Sequence, residues 1–102
     1  MPEVVLQDPV PAGYRHGVRQ RLQAALARQF REAGLGRGSV VVSFVLSHDG
    51  RVIGAPSITS AEGEAYVSAA QAALTAAQPF PSFPEGSPAT EVRFRLAVEY
   101  AP

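Results

Sequence analysis

The sequence has no cysteine, no lysine and no tryptophan, and only one methionine. Without cysteine there is no disulfide, no thiol nucleophile and no thiolate metal site; the absence says nothing about compartment. Without lysine, all nine basic residues are arginine. Together with abundant alanine this reads as coding bias rather than selection for guanidinium chemistry. No apolar run approaches the ~20 residues of a transmembrane helix. The N-terminus lacks a basic-then-apolar signal segment, so any membrane anchor is expected outside this chain. Histidine is scarce. His16 and His48 have no spacing that would bring them together with a carboxylate as a metal or acid–base site. The serines sit in no nucleophile-elbow motif, and no paired-carboxylate signature is present. The sequence therefore predicts no enzyme, no metal and no cofactor.

What is present suffices for one domain. A chain of 102 residues with 46% hydrophobic content supports a single core. Net charge is zero but unevenly spread. Residues 13–33 carry Arg15, Arg19, Arg21, Arg28 and Arg31 against Glu32. A basic helix can bind nucleic acid, but no aromatics interleave here for base stacking. The expectation is a solvated helix face and no nucleic-acid partner.

Residues 1–12, with three prolines and no helical period, read as a linker or tail, with Val4, Val5 and Leu6 lying on the domain surface. Residues 13–102 read as the domain. The first helix spans 13–33, with Tyr14, Val18, Leu22, Ala25, Leu26 and Phe30 as its apolar stripe. Gly17 weakens its first turn by up to ~1 kcal/mol relative to alanine, and Gly34 is the expected residue after its C-cap. Gly34, Gly36 and Gly38 follow a helix and precede a strand, the reverse of a phosphate-cradling loop. Residues 40–47 form the first strand, Ser47 to Gly50 the turn, and 51–60 the second strand. Asp49-Gly50 between apolar runs is a strong hairpin signal. Residues 64–77 form the second helix, with Tyr66, Ala69, Ala70, Ala73, Leu74 and Ala77 buried. The loop 78–88 is proline-rich, with Phe80 and Phe83 apolar enough to pin it down. Residues 90–100 form the third strand. Val92, Phe94, Leu96, Val98 and Tyr100 face one way; Glu91, Arg93, Arg95, Ala97 and Glu99 face the other.

These elements assemble into an α+β two-layer sandwich, α-β-β-α-β, with two helices packed on one face of a three-stranded antiparallel sheet. The first strand, apolar on both faces, is central. The second contains Pro56 and so belongs at an edge, giving the order 2-1-3. That leaves the third strand with an open, proline-free rim, a liability unless covered or used. An extended peptide could pair with it, and its charged side chains could select partners. A second copy could also cover it as a homodimer, as could the N-terminal tail, or the charges could simply guard it.

The ordered set of Tyr14 on a basic helix, VVVSFVLSHDGRV (40–52), ITSAEGEAYVSAAQAAL (58–74), QPFPSFP (78–84) and a final alternating strand resembles the C-terminal domain of TonB-family energy transducers. The resemblance covers nearly all of the chain from Tyr14 on. Gln29-Phe30 stands where many members have Tyr-Pro, Ser60-Ala61-Glu62 where Ser-Ser-Gly is usual, and Tyr66-Val67 where Leu-Asp often opens the helix. The C-terminal domain of TolA is the alternative. The resemblance implies a periplasmic domain hung on a proline-rich linker from an inner-membrane anchor, working with a proton-driven motor complex. It further implies that the TonB box, an extended segment of an outer-membrane transporter, pairs with the third strand: Glu91, Val92, Arg93, Phe94, Arg95, Leu96, Ala97, Val98, Glu99 and Tyr100. In that role the domain transmits force and catalyses nothing. The TolA alternative implies an envelope-integrity domain that binds folded periplasmic, phage or colicin proteins.

Overall fold

The computed structural model describes residues 10–87 and 90–101. The expected surface position of Val4, Val5 and Leu6 lies outside these residues. The element order is α1 (Ala12–Glu32), β1 (Gly38–Ser47), β2 (Val52–Thr59), α2 (Glu64–Ala77) and β3 (Glu91–Tyr100). The sheet order is β2-β1-β3, and β1 is antiparallel to both neighbours. The α-β-β-α-β sandwich expected from the apolar patterns is the one observed.

Helix α1 forms because Val18, Leu22, Leu26 and Phe30 recur at its own period and are all buried. It begins without a side-chain cap: the Pro11 carbonyl accepts the N–H groups of Tyr14 (3.0 Å) and Arg15 (3.2 Å). Val10, just upstream, is 1% exposed and belongs to the core. The first turn is regular despite Gly17. The helix ends at a Schellman motif. Gly34 takes φ +71°, its N–H donates to the Arg31 carbonyl (3.1 Å), and the Leu35 N–H donates to the Phe30 carbonyl (2.9 Å).

Helix α2 turns a stripe of small side chains inward: Ala69, Ala70, Ala73 and Ala77 are buried with Leu74. With no bulk at these positions, α2 lies close to α1 and the sheet. The core between the layers is completed by Val40, Val42, Phe44 and Leu46 from β1 and the even-numbered residues of β3.

Strand β2 is irregular where its composition predicts. Ser43 pairs with Ser57 and Val45 with Ile53, so β2 spends four steps where β1 spends two. The surplus lies at Gly54-Ala55-Pro56, with Gly54 at φ +70°. Pro56 therefore sits in a bulge on an edge strand, where its missing N–H breaks no regular ladder.

The proline-rich loop folds back onto the hairpin turn. The Phe80 N–H donates to the Gly50 carbonyl (2.8 Å) and the Phe83 N–H to the His48 carbonyl (3.0 Å). Phe80 stacks on Phe44 with ring centroids 5.9 Å apart, and Phe44 stacks on Phe94 at 5.6 Å. Tyr14 closes the other side, edge-on to Phe83 at 5.5 Å with its hydroxyl donating to the Pro81 carbonyl. The two phenylalanines do pin the loop, and the residues they pin it to come from three separate elements.

Candidate functional site: the outer rim of β3

Strand β3 pairs with β1 without interruption from Gly38↔Tyr100 to Ser47↔Glu91. Which backbone groups this leaves free follows from β1. The Ser47 N–H donates to the Arg51 carbonyl (2.8 Å), so Ser47 turns its backbone toward β2. At the other end, the Ser39 N–H donates to Glu62 Oε1 (2.8 Å) and the Ser39 carbonyl accepts from Ser60 Oγ (2.7 Å), again on the side away from β3. Lateral direction alternates along a strand. The odd residues of β1 therefore face β2 and the even ones bond β3. Their β3 partners, Val92, Phe94, Leu96, Val98 and Tyr100, face inward along the ladder. Glu91, Arg93, Arg95, Ala97 and Glu99 turn their N–H and carbonyl groups outward to the rim.

The same alternation sets the faces. The side chains of these outward residues are exposed, and those of the inward set are buried on the helix side. The ten residues expected as a docking edge thus divide into five that offer the rim and five that anchor it.

One rim group is occupied from within the fold. Arg19 reaches from α1, and its Nη1 donates to the Ala97 carbonyl at 3.1 Å. The Arg15 guanidinium lies 4.6 Å from the centroid of the Phe94 ring. The helix-one arginines are more than a solvated face. Arg21 Nε donates to the Ala77 carbonyl at the end of α2 (2.7 Å), and Arg28 pairs with Glu32 at 3.3 Å. Sequence reasoning missed the bonds of Arg19 and Arg21, because nothing local in a helix marks which arginine will find a carbonyl far along the chain; the Arg28–Glu32 pair is a local one, four residues apart.

The middle of the rim is therefore lined by arginine from two sides. Arg15 and Arg19 approach from α1, and Arg93 and Arg95 project from the open face of the sheet; Glu91 and Glu99 mark the ends. Among the described residues neither Arg93 nor Arg95 forms an ion pair. Beyond Glu99 lies a hollow of about 640 Å³ lined by Arg37, Ser39, Glu62, Glu99 and Tyr100. Its charges are of mixed sign, Arg37 against Glu62 and Glu99, and the Glu62 carboxylate accepts the Ser39 N–H (2.8 Å).

His16 and His48 do not converge: no group of three His, Cys, Asp or Glu among the described residues could hold a metal ion. No helix among them is long and apolar enough to cross a membrane.

The site is a strand edge presenting backbone groups at every second residue, flanked by cations. Its chemistry is that of hydrogen bonding to another extended chain. A family model described as TonB C terminal matches residues 12–96. No curated protein and no solved structure matches the chain.

Proposed function

The chain belongs to the TonB C-terminal domain family, and from that premise we propose that its β3 rim docks an extended segment of an outer-membrane transporter by strand addition. The coarse assignment, a TonB-like periplasmic domain, follows from the family. The finer reading is that the TonB box of a transporter pairs with the rim between Glu91 and Tyr100. An N-terminal segment outside this chain then links the domain to the inner membrane and its proton-driven motor, and the domain carries force without catalysing a reaction.

The observation that supports docking here is the outward set Glu91, Arg93, Arg95, Ala97 and Glu99 on an edge that contains no proline and no bulge. Such an edge supplies affinity through backbone hydrogen bonds and selectivity through alternate side chains. One set of partner side chains would lie beside Arg93 and Arg95 on the open face, the other beside Arg15 and Arg19 on the helix side. Edge β2, with its bulge at Gly54 to Pro56, offers no comparable ladder.

The test is an amide NMR titration with a synthetic TonB-box peptide, on wild type, Arg95→Pro and Arg95→Ala. The Arg95 N–H points to the rim, so proline there removes a docking donor without removing a β1–β3 bond. Arg95→Pro abolishes binding; Arg95→Ala, which keeps the N–H, retains it within about tenfold, the scale of one rim charge or hydrogen bond. Shifts that map to the α1 arginines and leave the β3 amides unmoved defeat the proposal.

The 21-residue length of α1 favours a second reading, a TolA-like domain that binds folded envelope, phage or colicin proteins. A folded periplasmic partner that binds the domain where extended peptides do not would support it.

A further inference from the structure

A second copy of this chain carries the same open edge, and two such edges can pair antiparallel about a two-fold axis. Charge decides which registers are tolerated, because the outward side chains would stand directly opposite one another. An axis at Arg95 sets Arg95 against Arg95 and Glu91 against Glu99 of the second copy. An axis at Phe94 sets Arg93 against Arg95; one at Arg93 sets arginine on arginine once but Glu91 against Arg95 twice, and it pairs only residues 91–95 of the strand. Like charges directly opposite are destabilising. An axis at Val92 matches Glu91 with Arg93 but pairs only the first residues of each strand. Axes at Leu96 and Ala97 pair more of the strand and match: the first sets Arg93 against Glu99, the second Arg95 against Glu99, each twice by symmetry. An axis at Val98 brings no charges into opposition. All three of these registers draw the Ala97 carbonyl into the new ladder.

That carbonyl is the one Arg19 holds, at 3.1 Å. The guanidinium stands where the backbone of a second copy would lie. We propose that Arg19 guards the rim against pairing with a second copy, at the position that the two longest charge-matched registers require. The guard leaves Glu91 to Arg95 as the unobstructed part of the rim. It manages an exposed edge with a side chain borrowed from the helix layer, where many proteins use a proline or a bulge in the strand itself.

The test compares the whole chain as wild type, Arg19→Ala, Arg19→Gln and the double variant Arg19→Ala/Glu99→Arg. It uses sedimentation equilibrium and amide hydrogen exchange, with circular dichroism to confirm folding. Wild type is monomeric. Arg19→Ala and Arg19→Gln self-associate at least tenfold more tightly, with slowed exchange at the Arg95, Ala97 and Glu99 amides. The double variant weakens this association, because both charge-matched registers then set arginine against arginine. Three results overturn the proposal: Arg19 variants as monomeric as wild type, wild type already dimeric through β3, or an Arg19→Ala dimer whose β3 amides exchange as in the monomer. No peptide is used: Arg19 variants that stay monomeric defeat the guard and leave transporter docking untouched, whereas a wild type dimeric through β3 defeats the guard and fills the docking rim as well.

Discussion

Replacing Gly50 with alanine should be among the most damaging one-carbon changes in this domain. Gly50 adopts φ +83°, a left-handed conformation that costs a residue with a side chain about 1–2 kcal/mol. A Cβ there would lie 1.9 Å from the Phe80 carbonyl oxygen and 2.7 Å from its carbon, both backbone atoms, so the proline-rich loop must move as a unit. That movement breaks the Phe80 N–H bond to the Gly50 carbonyl, worth about 0.5–1.5 kcal/mol net. It also loosens the stacking of Phe80 on Phe44, worth a further ~0.5–1.5 kcal/mol. The sum is roughly 2–5 kcal/mol from these three terms, a large share of the ~5–15 kcal/mol that holds an ordinary domain folded. Guanidinium denaturation of Gly50→Ala beside two other glycine variants separates the causes. Gly34→Ala shares the positive φ (+71°) but meets nothing within 4 Å, so it carries the backbone strain alone. Gly17→Ala meets nothing either and sits inside α1, where alanine should stabilise by roughly 0.5–1 kcal/mol. A Gly50→Ala variant no less stable than Gly34→Ala would refute the view that the hairpin turn is the seat of the loop.

Two further predictions concern titrating groups. Tyr14 has its pKa raised above 10.0 by burial, so the fold favours the neutral phenol that donates to Pro81. Its contribution is whole below pH 10.0 and is lost as pH rises through the higher folded value. Tyr14→Phe should therefore cost about 1 kcal/mol at neutral pH and flatten the loss of stability above pH 10.0; an equal alkaline slope in both proteins counts against this. Asp49, an exposed turn residue, has its pKa held below 3.8, first by the Ser47 hydroxyl and less by Arg51, 3.5 Å away. Its contribution is present above pH 3.8 and fades as pH falls through the lower folded value. Ser47→Ala should raise the Asp49 pKa in an NMR titration, and an unmoved value would show that the hydroxyl is not the cause.

What the sequence disclosed and what it withheld divide along contact range. Alternation from Glu91 to Tyr100 is a local pattern with period two, and it fixed which face of β3 is buried. Pro56 announced an edge strand through its missing donor, and Gly34 announced the end of α1 through its tolerance of positive φ. Each is a property of a residue and its immediate neighbours. The bond from Arg19 to Ala97 spans 78 positions, that from Arg21 to Ala77 spans 56, and that from Tyr14 to Pro81 spans 67. Such contacts leave no periodic trace, since any arginine on the exposed side of α1 fits the pattern equally well. Val10 was hidden for a related reason: flanked by prolines, it carried no period, and only the assembled layers show that it fills the core. Glu62, two residues ahead of α2, likewise accepts the Ser39 N–H at the head of β1, a contact that no local pattern marks.

Helix α1 and strand β3 run side by side in the same sense: Arg15 meets Phe94, Arg19 meets Ala97 and Phe30 meets Tyr100 at 5.1 Å. Consider tension applied at the front of α1 and resisted by a strand lying along the rim. The pull then runs parallel to both axes, and the β1–β3 bonds, perpendicular to the strands, are loaded together in shear. The same tension applied at right angles to the rim would peel those bonds one after another. The domain is thus mechanically anisotropic, with its strong direction along the seam between its first and last elements.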